Sequence, residues 1–277
     1  MHTYQRVWNE LEENTEISAA VTTFISVIIP ARNEAKNITN ILTDIALQNY
    51  PFELLEVIVI DDNSEDNTYE LCLQFKEKNT LSLHVYKLNE LLDSTLTSVY
   101  KKRAIEAAVH QAKGTLIVTT DADCRVQNHW LRSIATLYEK EKPALIAAPV
   151  AFQNDGTAFE KFQALDFCGM QAITGASLNM EMFNMANGAN LAYEKKAFLE
   201  VEGYQHIDQK ASGDDMLLVY KIAHKFSNNI QFLKNKYAIV FTEPQRTLTD
   251  FLQQRFRWTS KSRSYQDRRI TVILGLV

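Results

Sequence analysis

Hydrophobic positions along the chain change their spacing repeatedly, and each change marks an element. FISVIIP (Phe24 to Pro30) is a β-branched run closed by proline and predicts a buried strand. From about Glu34 to Gln48 the apolar residues Ile38, Ile41, Leu42, Ile45 and Ala46 share one face of a helix, which Pro51 stops. LEVIVIDD predicts a second buried strand, ending at Asp61 and Asp62. Ser64 is placed to cap the next helix, which carries Tyr69, Leu71, Leu73 and Phe75. LSLHVYKL alternates as a third strand, Lys101 to Lys113 follows as a helix ended by Gly114, and TLIVTT is a fourth strand. Beyond residue 140 the pattern loosens. A strand is expected near Leu145 to Ala151 and a helix from about Ala158 to Met180, before the segments NGANLAYEKKAF, SGDDMLLVYKI and LTDFLQQRFRW.

Strands and helices alternating at short spacing imply an α/β chain with a doubly wound, mostly parallel sheet. In such sheets ligands bind beyond the carboxyl ends of the strands. The polar clusters Pro30 to Glu34, Asp61 to Ser64 and Asp121 to Asp123 all fall at ends of that kind. No G-x-G-x-x-G follows the first strand and no G-x-x-x-x-G-K-[ST] occurs, which disfavours a dinucleotide oxidoreductase and a P-loop ATPase.

Composition narrows the reading. With 277 residues, 46% of them apolar, the chain supports one large domain or two small ones. A net charge of -5, from 29 basic and 34 acidic residues, argues against a general nucleic-acid binder. Cys72, Cys124 and Cys168 are sparse and lack C-x-x-C spacing, as expected of a reducing compartment without a zinc site. Glu10, Glu12, Glu13 and Glu16 are unlike a signal peptide. At the other end, Lys261, Arg263, Arg268 and Arg269 precede an apolar run from Ile270 to Val277. That run is too short to span a bilayer and reads either as a C-terminal strand or tail, or as the first turns of a membrane helix.

Four segments and one lysine carry candidate chemistry. In extended chain, residues i and i+2 point the same way, so Asp121 and Asp123 can face one ligand with the small Ala122 between them. Oxygen ligands of this kind suit Mg²⁺ or Mn²⁺ shared with a phosphate, although aspartates at a strand end are also common turn formers. Asp214 and Asp215 open an amphipathic helix, either complementing its dipole or supplying a general base. In LTDFLQQRFRW, Thr249 or Asp250 is a candidate cap, and Phe251, Leu252, Phe256 and Trp258 are expected to form an apolar side. Gln254, Arg257 and Trp258 share a face, where Arg suits a diphosphate and Trp a sugar ring. Gly188 in NGANLAY permits close backbone approach to a ligand, or a turn before a strand. Lys101 is within reach of a phosphate at the start of its helix, or is simply a solvated lysine.

Taken in order, SVIIPARNEAKNI, VIVIDDNSEDNT, TTDADC, NGANLAYEKKAF, GDDMLLVYKI and QQRFRW resemble the family 2 inverting glycosyltransferases of the GT-A fold. The subgroup they resemble carries a Q-x-x-R-W motif and is related to cellulose, chitin and hyaluronan synthases. The resemblance runs from about Phe24 to Trp258. It implies a nucleoside pocket lined by Pro30, Ala31, Arg32 and Glu34, with Asp62 reading the base, typically uracil. It matches Lys101 to a family lysine, Asp121, Ala122 and Asp123 to the D-x-D with Asp123 the firmer metal ligand, and Asp215 to the catalytic base. Asp214, Gly188, Gln254, Arg257 and Trp258 then serve the acceptor and diphosphate side. Expected partners are a nucleotide-sugar donor and a glycan or lipid-linked acceptor at the cytoplasmic face of a membrane, with Mg²⁺ or Mn²⁺ and no nucleic acid. The implied organisation is an extension at 1–23, a catalytic domain at 24–260 divided near residue 125, and a basic juxtamembrane segment at 261–277. Departures are Glu106 for Asn, Ala108 for Gly, Asp214-Asp215 for the E-D pair, and TSKSRS without glycine after Trp258. A sugar-nucleotide nucleotidyltransferase is the rival, but PARNEAKN lacks its glycine-rich loop; a non-catalytic nucleotide-sugar-binding domain is the other.

Overall fold

The computed structural model describes residues 2–91, 100–153, 156–182, 186–205, 214–227 and 229–260; of Tyr100, Asp214, Asp215, Thr259 and Ser260 only the backbone is described. In chain order the first elements are α1 (His2–Glu10), β1 (Ile25–Ala31), α2 (Ile38–Ala46), β2 (Leu55–Asp61), α3 (Thr68–Lys78), β3 (Leu83–Lys87), α4 (Leu88–Leu91), α5 (Tyr100–Gln111) and β4 (Leu116–Thr119). Then come β5 (Arg125–Val126), α6 (Trp130–Glu141), β6 (Leu145–Ala147), β7 (Val150–Phe152), α7 (Ala158–Asn179), β8 (Leu191–Glu194) and α8 (Lys195–Glu200). The last are α9 (Asp214–Lys225), β9 (Ile230–Phe232), β10 (Val240–Thr242) and α10 (Leu248–Ser260).

Seven strands form the main sheet in the order β3-β2-β1-β4-β8-β6-β9, and β5-β10-β7 form a small second sheet. β3, β2, β1 and β4 are mutually parallel, whereas β8 runs antiparallel to both β4 and β6. The β-branched runs are buried on both faces. Val27, Ile29, Val57 and Val59 pack into one apolar cluster with Ile41, Phe75 and Leu131, while Ile28, Ile58, Ile60 and Ile117 pack into another with Ala104, Phe198 and Ile222. Alternation along each strand thus divides its side chains between two helical layers.

The chain lays down β1, β2 and β3 toward one edge, then returns to place β4 on the other side of β1. That reversal opens a crevice beyond the ends of β1 and β4. Pro30 helps to open it. The Ile28 carbonyl accepts from Thr120 N at 3.2 Å on the β4 side, and the Ala31 carbonyl from Asp62 N at 2.8 Å on the β2 side. Alternation therefore turns Pro30 toward β4, whose register with β1 ends at Thr119. A residue with no N–H sits where the ladder has already stopped.

Several expected boundaries move. α2 starts at Ile38 because Glu34 to Asn37 form turns, and α3 is preceded by Asn67 rather than capped by Ser64. The expected strand Leu145 to Ala151 divides between the two sheets at Pro149, whose carbonyl accepts from Val240 N at 3.1 Å. Thr247, not Thr249 or Asp250, caps α10, its Oγ1 accepting from Asp250 N at 3.1 Å. The expected apolar side of α10 is also corrected. Phe251 is buried and Trp258 half-buried, but Leu252 and Phe256 are 44% and 71% exposed. At about 100° per residue the two pairs lie on different sides of the helix. Among the described residues, no helix is long and apolar enough to cross a membrane.

Candidate active site

The loops leaving β1 and β2 are built as one unit. Asn33 and Asn63 both adopt left-handed backbone (φ 57° and 53°), which asparagine tolerates better than most residues. Asn33 N donates to Ser64 Oγ at 2.9 Å, Glu65 N to Asn33 Oδ1 at 2.8 Å, and Glu34 N to Thr68 Oγ1 at 2.7 Å. These cross-bonds set Arg32 and Asp62 side by side, with Arg32 Nη1 3.6 Å from Asp62 Oδ2. Burial raises the Asp62 carboxyl above its ordinary value, partly opposed by Arg32.

β4 then delivers the acidic pair. After Thr119 the chain turns, with Cys124 N donating to the Asp121 carbonyl at 3.2 Å, and Ala122 is buried against the core. Arg125 fixes the far side of this turn through a two-pronged contact with Asp44 of α2, at 2.6 and 2.8 Å. Lys101, in the first turn of α5, donates from Nζ to Asp121 Oδ1 at 2.6 Å. Asp123 is open to water in the crevice, yet protein surrounds it on several sides. That partial desolvation, followed by the charge of Asp121, raises its carboxyl. Glu34 is raised by burial first and then by Asp123 and Asp121 among others. Cys124 is buried and its thiol pushed far up, so it remains an un-ionised core residue.

Pro30, Ala31, Arg32, Glu34, Asp62, Lys101, Asp121, Ala122 and Asp123 line one recess of about 260 Å³, joined by Ala104. Lys101, Asp121 and Asp123 also border a larger cleft of about 490 Å³, whose far wall carries Gln254, Arg257 and Trp258. The acidic turn is therefore the partition between two compartments. Gln254 is buried, and its Oε1 accepts no hydrogen bond from the described residues. Gly188 does not line the cleft; its neighbours Asn187 and Ala189 do, while its own carbonyl accepts from Thr119 Oγ1 at 2.8 Å. The side chains of Asp214 and Asp215 lie outside the described residues. Their helix α9 begins there, and the next residue, Met216, borders the cleft.

Sequence reasoning missed much of the larger compartment. Phe152 comes from β7, and Phe167, Met170, Gln171 and Thr174 from α7. It also missed Asn190 as a structural hub: its Nδ2 donates to the Pro149 and Ala238 carbonyls, both at 2.8 Å, and its Oδ1 accepts from Trp130 Nε1 at 3.0 Å. Arg255 was overlooked as well. It pairs with Asp166 of α7 and lies 4.6 Å from the Trp258 ring centroid. The two asparagines of NGAN and the aromatic-rich FEKFQALDF were the available signals.

Residues 26–190 match the family model described as glycosyl transferase family 2, and residues 116–275 match glycosyl transferase family group 2. Among curated relatives, the chain is 28% identical to glycosyltransferase AglE of Haloferax volcanii, over 84% of this chain and 71% of that protein. It is 22% identical to the poly-beta-1,6-N-acetyl-D-glucosamine synthase of Staphylococcus epidermidis, over 84% of this chain and 53% of that protein. A shorter match, 28% identical over 47% of the chain, is to 27% of the beta-monoglucosyldiacylglycerol synthase of Trichormus variabilis. The chain thus spans about half or less of two of these three. Of solved structures, the mannosyltransferase PcManGT of Pyrobaculum calidifontis, in complex with GDP-Man and Mn²⁺, superposes with a TM-score of 0.70 at 19% identity, covering 98% of this chain and 74% of that one. TarS of Staphylococcus aureus with UDP-GlcNAc superposes at 0.60 and 22% identity, over 80% and 59% of the two chains. With a family model matched over more than half of its length and a GT-A architecture, the chain belongs to glycosyl transferase family 2 and is a glycosyltransferase.

Proposed function

We propose that the chain transfers a sugar from a nucleotide-diphosphate sugar, preferably UDP-linked, to a hydroxyl of a glycan or lipid-linked acceptor, with inversion at the anomeric carbon. The observation that carries this reading is the shared partition: Lys101, Asp121 and Asp123 border both the recess and the cleft. A donor spanning the partition has its nucleoside in the recess and its sugar in the cleft. Arg32, Glu34 and Asp62 then hold the nucleoside, with Lys101 near the diphosphate. Gln254, Arg257 and Trp258 close the acceptor side, and the unmatched Oε1 of Gln254 is an acceptor for a ligand hydroxyl. Placement of this wall on the cleft supports the Q-x-x-R-W subgroup. In this reading the chain divides as an extension at 1–23, donor and acceptor halves meeting near residue 125, and a basic juxtamembrane segment at 261–277.

The donor set fits a hard divalent cation. Asp121 and Asp123 are oxygen ligands whose negative charge, with that of Glu34, is offset at Asp121 by Lys101. Among the described residues no group of three ligating side chains occurs, so Asp121 and Asp123 would hold Mg²⁺ or Mn²⁺ together with oxygens of the donor. Bound there, the ion would offset charge developing on the departing diphosphate. The chain's own residues do the rest. Asp215 accepts the proton of the attacking hydroxyl, and Arg257 supports the leaving group electrostatically. The position of Met216 on the cleft, one residue after Asp215, supports that role.

The test is Asp215→Asn. Turnover should fall about 10² to 10⁴-fold, the usual contribution of a positioned base, while calorimetric affinity for UDP with Mn²⁺ stays at the parent value. Parent-like turnover would remove Asp215 from the mechanism. Nucleotidyl transfer, the rival reading, would instead release pyrophosphate rather than a nucleoside diphosphate.

A further inference from the structure

The large cleft does not end at Gln245. Glu243 and Gln245 line it, and both also line a second compartment of about 480 Å³, between the start of α7 and the segment 243–247 that joins β10 to α10. Hydrogen bonds fix its walls. Gln163 of α7 is fully buried; its Nε2 donates to the Gln245 carbonyl and its Oε1 accepts from Gln245 N, both at 2.9 Å. Gln153 N donates to the Thr242 carbonyl at 2.8 Å, and a reciprocal cap between Thr157 and Glu160 closes the first turn of α7. The clamp from Gln163 uses only the Gln245 peptide, so the Gln245 side-chain amide is left to the two compartments it borders. We infer that the second compartment holds the second sugar of the acceptor, so that the preferred acceptor is a neutral glycan of at least two sugars.

Size, polarity and charge select this ligand. Each compartment falls within the ~300–1,000 Å³ usual for small-ligand sites. The large cleft takes the donor sugar and the terminal acceptor sugar, and the second compartment takes the unit behind it. A hydrocarbon chain would displace water from Glu243, Gln245 and Arg246 without replacing its hydrogen bonds. A sugar instead offers hydroxyls to those groups and its C–H face to Phe159, whose ring meets that of Phe251 edge-on at 5.7 Å. Anionic units are disfavoured, because Glu160 and Glu243 outnumber Arg246 on the lining. Arg246 is also engaged, with Nη2 3.7 Å from Glu243 Oε2. The inference deepens the proposed function and rests on its placing the acceptor in the large cleft.

The test is an array of hexoses and N-acetylhexosamines, each displayed as a single sugar and as its di- and trisaccharide, beside uronic-acid and sugar-phosphate oligomers. The full chain is applied with UDP and Mn²⁺ present. In at least one neutral series, retention should rise about tenfold from one sugar to two, the worth of one or two hydrogen bonds, and change little with a third. Gln245→Ala/Arg246→Ala removes both side chains while keeping the clamp on the Gln245 peptide. Its two-sugar to one-sugar ratio should fall close to one. Equal retention of one and two sugars, retention of anionic oligomers alone, no retention at all, or a ratio that survives in the variant would overturn the inference. Calorimetry with UDP and Mn²⁺ reads the donor site separately. A chain that binds UDP yet gains nothing from the second sugar loses only this compartment. A chain that shows the gain but binds no UDP refutes the proposed function and leaves the glycan compartment standing.

Discussion

Asp123 bears its charge in an unfavourable place. Partial desolvation and the neighbouring Asp121 both raise its carboxyl, so the folded chain disfavours its ionised form relative to the unfolded chain. The sign follows from linkage. A raised carboxyl stabilises the fold while protonated, below its unfolded pKa, and that contribution is lost as pH rises through the folded value. Glu34, raised by burial first and also by Asp123 and Asp121, contributes with the same sign. Asp123→Asn is therefore expected to raise the thermal midpoint slightly in EDTA at pH 7, the gain being limited by water in the cleft. In the same variant, the Mn²⁺-dependent stabilisation by UDP should disappear. A thermal-shift series with and without Mn²⁺ checks both halves. A drop in the EDTA midpoint would show that Asp123 has a structural partner outweighing its electrostatic cost. Carboxylates kept in mutual repulsion, with the fold bearing the penalty, are what a cation site requires.

At the scale of elements, α10 works through its contact with α7. The Arg255 guanidinium pairs with Asp166 and lies 4.8 Å from the Phe251 ring centroid and 4.6 Å from that of Trp258. Phe167 braces the other side of Trp258, with centroids 5.7 Å apart. Arg255 therefore positions Trp258 on the cleft wall. Asp166→Asn should cost about 1–2 kcal/mol, between exposed and buried ion-pair values. It should also raise the acceptor KM while leaving UDP affinity alone. A lysine at 255 should not substitute, because the planar stack would be lost. An acceptor KM that stays constant while stability falls would make the pair purely structural. None of this was legible in the sequence, whereas the recess at the strand ends largely was. Residues that end consecutive strands carry their own signal: FISVIIP, LEVIVIDD and TLIVTT each announce both the strand and the polar residues at its rim. The far wall of the larger cleft has no such grammar. β7, α7, β10 and α10 are brought together by tertiary packing, and side chains such as Phe167 and Phe256 look equally apolar in sequence though one faces the cleft and the other solvent.

Across the whole molecule, the first residues prove to be tied to the second half of the chain. Trp8 of α1 meets Phe232 of β9 edge-on at 5.8 Å, and Lys234 Nζ donates to the Trp8 carbonyl at 3.1 Å while lying 4.9 Å from its ring. Gly175 of α7 makes room for this contact: a Cβ there would fall 2.8 Å from Trp8 Cζ3 and 2.9 Å from Phe232 Cδ1. Thr174, the residue before it, borders the cleft, so α1 braces the cleft wall from behind. The glycine presents two opposing effects. Gly→Ala in a helix interior ordinarily gains about 1 kcal/mol, whereas overpacking costs about 1–3 kcal/mol. Contacts under 3 Å on two rings favour the second effect, so Gly175→Ala should destabilise. Trp8→Ala should cost about 1–2 kcal/mol, the value of a partly buried aromatic. The double variant is the decisive measurement, because the new methyl then enters space that the indole has vacated. Its loss should fall short of the sum of the two single losses, read from urea midpoints at constant m. Strict additivity would mean that α1 is not seated on Gly175 in solution and that the cleft wall stands without it.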